Sequence, residues 1–76
     1  MSLKRYRADF RCVINGEEFI PDSEYFSSEN DKKALKYAEL VASDGIDFSD
    51  VGHVDMELTH VAECDDDWNE IGLIYY

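Results

Sequence analysis

The sequence has no lysine or arginine after Lys36. Residues 1–36 hold seven acids against seven bases, whereas residues 37–76 hold eleven acids, two histidines and no Lys or Arg, so the net charge of −11 belongs to the back half. DNA, RNA and anionic membranes demand clustered cations that neutralise phosphates, and this balance argues against binding any of them directly. A basic partner is what such a field attracts.

Other scarcities narrow the field further. Cys12 and Cys64 are the only cysteines, short of the four, six or eight of a small secreted disulfide scaffold, so two reduced thiols are expected. The four glycines are isolated and form no phosphate-cradling loop. No stretch approaches the roughly 20 apolar residues of a membrane span. The opening Met1-Ser2-Leu3-Lys4-Arg5-Tyr6-Arg7 leads into alternating residues without the apolar core of a secretory signal, and a cytoplasmic protein is the expectation.

What is present is enough for one core. Of the 76 residues 45% are hydrophobic and 13% aromatic, too many for a chain kept disordered by charge. A single domain spanning 1–76 is expected, and a chain this short buries only about 60% of its unfolded surface. A partner or a second copy is therefore a plausible source of stability.

Residues 5–14 alternate, with Tyr6, Ala8, Phe10, Cys12 and Ile14 on one side and Arg5, Arg7, Asp9 and Arg11 on the other, which predicts a half-buried strand. Asn15-Gly16 then predicts a type I′ turn, with Cys12 opposite Phe19 and Ile14 opposite Glu17 on a return strand that ends at Pro21. Asp22–Ser27 reads as a loop. Ser28 with Asp31 matches a capping box, and a helix is expected from about Glu29 to Ser43, burying Ala34, Leu35, Ala38, Val41 and Ala42, with Gly45 as its left-handed cap. The three alanines let it lie close on a sheet. Residues 44–52 read as a connection, 53–62 as one strand, 63–67 as an acidic turn and 68–76 as a terminal strand with a bulge at Gly72. The fold class is α+β: a ββαββ order, a four-stranded, mainly antiparallel sheet and one helix on one face.

Tests for chemistry return little. His53 and His60, seven apart on the expected strand, point to opposite faces and share no ion. His60, Cys64 and Asp65-Asp66-Asp67 are a fragment of a zinc set, and the acids at 44, 47 and 50 do not follow the calcium-loop rule. Core placement of Cys12 and five carboxylates around Cys64 disfavour both thiolates. No metal, no cofactor and no catalytic residue is expected, and an enzyme is not the reading.

The placement of acids carries the functional expectation. Asp55, Glu57, Glu63, Asp65, Asp66, Asp67 and Glu70 are expected to form one outward stripe, and Asp44, Asp47 and Asp50 a second cluster. Carboxylates without intervening cations repeat charge as a nucleic-acid backbone does. Trp68 and Tyr76, with Ile74, Val13 and Val61, are expected to form an aromatic patch away from the helix, while Ile71, Leu73 and Tyr75 face it.

Small size, an α+β plan and dense carboxylates over residues 44–70 resemble the small phage-encoded inhibitors of bacterial defence systems, anti-CRISPR proteins among them. The resemblance is one of character across about a third of the chain and implies a stoichiometric inhibitor whose acids replace phosphates against a basic nucleic-acid-binding protein. The alternative is a homo-oligomeric structural or accessory module, possible as a homodimer, that uses the outer sheet face.

Overall fold

The computed structural model describes residues 2–76. Its elements in chain order are β1 (Lys4–Ile14), β2 (Glu17–Phe19), β3 (Glu24–Ser28), α1 (Asp31–Asp44), β4 (Ile46–Phe48), β5 (Gly52–Val54), β6 (Glu57–Cys64) and β7 (Glu70–Tyr75). The class is α+β, with one helix and antiparallel pairings throughout. The ββαββ order and the four-stranded sheet are corrected: five strands form the main sheet and β4 and β5 form a separate hairpin.

β1 is the spine. Its alternation buries Tyr6, Ala8, Phe10 and Cys12 as expected. Asn15 (φ 53°) and Gly16 (φ 82°) take the left-handed conformations of a type I′ turn, which sets Ile14 opposite Glu17 and Cys12 opposite Phe19. The chain then kinks past Pro21 and returns to the same edge of β1 as β3, with Ala8 opposite Glu24 and Lys4 opposite Ser28. Residues 20–23 thus face residues 9–11, one residue more than the ladder needs. Pro21 has no N–H for the ladder, so the return strand breaks there and resumes. The segment read as a loop in the sequence is this resumed strand, hidden because Ser23, Ser27 and Ser28 dilute the apolar signal of Tyr25 and Phe26.

On its other edge β1 pairs with β6, and β6 with β7. Thr59 is an extra residue in β6, since the register runs Asp9–His60 and then Phe10–Leu58. A bulge of one residue reverses which side chains face the core. Leu58 and Val61 therefore both pack under the helix, and Val61 is fully buried. β7 carries two more bulges against β6, at Ile74 and beside Gly72 at Ile71. These shifts overturn the expected faces of the last strand: Ile74 packs on the core, whereas Ile71, Leu73 and Tyr75 are exposed.

The N-cap of α1 falls two residues later than expected. Asn30, not Ser28, is the N-cap, its side chain accepting from the Lys33 N–H at 2.9 Å. Gly45 (φ 66°) closes the helix by donating its N–H to the Val41 carbonyl. Ala34, Ala38 and Ala42 are buried against Tyr6, Ala8, Phe10 and Val61, so the core is thin and the helix close. Tyr6 adds a polar tie by donating its hydroxyl to Asp31 at 2.8 Å. Burial, then the bond to Asp31 and the charges of Asp31 and Glu63, push its phenol well above the usual tyrosine range.

Three contacts fix which elements share an end of the molecule, which measures 43 × 19 × 19 Å. The Tyr6–Asp31 bond places the start of α1 beside the start of β1. The Met56 N–H donates to the Ala42 carbonyl, setting the end of α1 at the start of β6. Phe48 of β4 meets Phe19 of β2 edge to face at 5.7 Å, so the β4–β5 hairpin shares the β1–β2 turn's end.

Candidate functional site

The expected single acidic stripe is divided by β6. Asp55 precedes that strand and Asp65, Asp66 and Asp67 follow it, so its eight residues hold the two groups roughly 25 Å apart by strand rise. Between them, the arginines of β1 take up carboxylates on the helix-free face. Arg11 bonds Glu57 at 2.9 Å and Glu18 at 3.3 Å, Arg7 bonds Glu70 at 2.8 Å and Asp9 at 3.3 Å, and Arg5 bonds Asp66 at 2.6 Å. Lys4 lies 3.8 Å from Glu63. The alternation that makes β1 a strand also aligns three arginines, and antiparallel partners bring the acids to them. This cross-strand charge pairing is what sequence order concealed, because each base and its acid are far apart in the chain.

Asp65 is occupied differently. Its carboxylate accepts the N–H groups of Asp67 and Asn69, both at 2.9 Å, and so organises the β6–β7 turn. Within that turn Trp68 sits at φ 66°, a conformation that favours glycine, and projects its ring to Tyr25 at 5.6 Å edge to face. The Arg5 guanidinium lies 5.5 Å from the Trp68 centroid, within cation–π range. Trp68 is thus a partly exposed member of a local cluster, and Tyr76 lies open at the chain end, while Val61 and Ile74 leave the expected patch for the core.

The other end of the molecule is different in kind. Glu17, Glu18, Asp44, Asp47, Asp50, Asp55 and Glu57 gather on β2, the end of α1, the β4–β5 hairpin and the start of β6, and Arg11 of β1 is the one Lys or Arg that pairs with any of them among the described residues. Seven carboxylates against one guanidinium leave a net of −6 at this pole with His53 neutral and −5 with it protonated. The remaining six bases, Lys4, Arg5, Arg7, Lys32, Lys33 and Lys36, lie on the first half of β1 or of α1. Glu17 and Glu18 were not among the expected site residues: they precede Lys36 in sequence, and only the hairpin's position brings them into the pole.

His53 sits inside this pole. It and His60 are on different strands, β5 and β6, and not on one continuous strand as expected. The His53 Nδ1 is 2.9 Å from Asp47 and its Nε2 3.2 Å from Asp55. Only the imidazolium can donate to both carboxylates at once, and the bond to Asp47, its charge and those of Asp55 outweigh desolvation to raise the His53 pKa. Because its two nitrogens are directed to different acids, the trio is a clasp across the hairpin and not a set of ligands for one ion.

Beside the turn, Ile14, Asn15, Glu17, Glu18 and Phe19 line an open depression of about 350 Å³. Its lining joins the carboxylates of Glu17 and Glu18 to the apolar side chains of Ile14 and Phe19. The thiol of Cys64, by contrast, is buried, and burial pushes its pKa up despite the opposing charge of Arg7. No protein-family model, no curated protein and no solved structure matches this chain, so the site is interpreted from its own geometry.

Proposed function

We propose that the chain is an acidic protein-binding module that imitates a short length of nucleic-acid backbone and stoichiometrically inhibits a basic nucleic-acid-binding protein. The observation that carries this reading is the pole of seven carboxylates served by one arginine and one histidine. Among the described residues Asp44 and Asp50 have no ion pair, and Asp47 and Asp55 have only the His53 ring. They are the acids that a partner's cations would meet first. Glu57, Glu63, Asp66 and Glu70, already paired with the chain's own bases, have less to offer.

Magnitude limits the imitation. B-DNA carries one charge per about 1.7 Å, so a duplex as long as this molecule would hold about 25 charges against a net of −11 here. The pole, at −5 with His53 protonated, matches about 9 Å of duplex. The partner's site on this reading is a pocket or channel for a few phosphates and not a long groove.

Capture from host lysate on immobilised protein tests it. Wild type should retain a nucleic-acid-binding protein that elutes as salt rises, and the combined Asp44→Asn, Asp47→Asn, Asp50→Asn and Asp55→Asn variant should retain at least about tenfold less. Capture that is indifferent to both salt and these substitutions would end the mimicry reading.

A further inference from the structure

The β4–β5 hairpin forms no ladder with the main sheet, and none of residues 46–54 is buried. A two-stranded hairpin is marginal by itself in water, so its few ties decide whether it stays closed. Phe48 rests edge to face on Phe19 at 5.7 Å, and the His53 ring bridges Asp47 of β4 and Asp55 beyond β5 at 2.9 and 3.2 Å. Gly45 makes room for this closure: a Cβ there would strike the Val54 carbonyl and come within 3.0 Å of the His53 ring. The helix end, the hairpin and the histidine thus meet in one contact. We propose that the hairpin is a proton-latched flap, which the His53 imidazolium holds closed and which deprotonation loosens.

Local charge makes a latch necessary. Residues 44–55 hold Asp44, Asp47, Asp50 and Asp55 and no Lys or Arg, so within that segment His53 alone opposes their mutual repulsion. The neighbouring elements add Glu17 and Glu18 of β2 and Glu57 of β6, the last two held by Arg11. Histidine is the side chain whose charge ordinarily changes between about pH 5 and pH 8, so one proton alters this balance. A neutral imidazole keeps a single N–H. One of the two bonds must then fail, and the ring's lone pair is left facing a carboxylate. Exposed segments open locally at far lower cost than the core, so the loss is felt first in the hairpin. The raised His53 pKa, for which the bond to Asp47 is the main cause, agrees in sign. Proton and closed flap favour each other, and closure weakens as pH rises through the folded value. Because Asp47 and Asp50 ride on the flap, the latch also sets how tightly the pole's charge is gathered.

Carbon-bound protons, which do not exchange with water, report the flap across the titration. In carbon-13-labelled protein taken from about pH 5.5 to about pH 8.5, the Phe19–Phe48 ring NOE should weaken at least about twofold, with the midpoint of the His53 ring titration. His53→Gln should show the weakened NOE at every pH, while the Tyr6 and Phe10 signals stay as in wild type and report an intact core. His60→Gln removes the other histidine, which sits on β6 beside Thr59, and should titrate as wild type does. A wild-type His53 that titrates while the NOE stays constant overturns the proposal, as does a His53→Gln NOE equal to that of protonated wild type. Neither result bears on the pole as a mimic, which salt-dependent capture tests separately.

Discussion

The Thr59 hydroxyl donates to the main-chain carbonyl of Asp9 at 3.0 Å, at the step where β6 carries its extra residue. This bond ties the bulge to the central strand, and the bulge is what turns Val61 inward. Thr59→Val keeps the shape and removes the donor, and should cost about 1 kcal/mol in urea unfolding with the slope unchanged. A variant as stable as wild type would show that the bulge holds without this tie.

The His53 clasp has a definite sign. Its folded pKa is raised above the ordinary value of 6.5, so the stabilisation is complete below pH 6.5 and is lost as pH rises through the folded value. NMR titration of the His53 ring should show the upward displacement. Asp47→Asn should reduce it more than Asp55→Asn, because the bond to Asp47 is the larger cause. Equal effects would remove the asymmetry inferred from the two distances.

Trp68 gives opposing effects that substitution can separate. Trp68→Ala loses the contacts with Tyr25 and Arg5 but keeps the left-handed backbone, while Trp68→Gly loses the same contacts and relaxes the backbone. The glycine variant should be the more stable of the two by about 1 kcal/mol in thermal or chemical unfolding. The reverse order would mean that the turn changes conformation in the variants.

Neighbouring acids in the β6–β7 turn should behave unlike one another. Asp65→Ala removes the acceptor for two N–H groups and should cost about 1–2 kcal/mol, whereas Asp67→Ala should fall within about 0.5 kcal/mol of wild type. Equal costs would point to charge alone.

The close seat of α1 is tested at Ala38, which has no exposed surface. Ala38→Leu should destabilise by about 1–3 kcal/mol, because the added carbons must lift the helix from Ala8 and Val61 or force poor rotamers. A neutral result would mean unfilled space beneath the helix.

The parts of the fold legible in the sequence are those set by neighbours in the chain. The alternation of β1, the Asn15-Gly16 turn with its register, the alanine face of α1 and the Gly45 cap are all local. What escaped reading depends on pairing between distant residues. The single extra Thr59 reverses the faces downstream, and no local pattern reports it, because alternation looks the same from either side. The candidate site divides likewise: Asp44, Asp47, Asp50 and Asp55 were legible as a cation-free run, but the engagement of Glu57, Asp66 and Glu70 by β1 arginines required the ladder. Glu17 and Glu18 joined the pole through the hairpin's reach alone.

A rod with seven acids and one arginine gathered at one tip, and its other six Lys and Arg toward the opposite end, has its centre of charge displaced toward the first tip. In the field of a cationic surface such a body feels a torque before it touches, and tumbling is biased so that one tip leads. Orientation is ordinarily the slow part of protein encounter. Here part of that search is completed in flight, by the same strand arrangement that left Arg11 as the lone arginine among seven carboxylates.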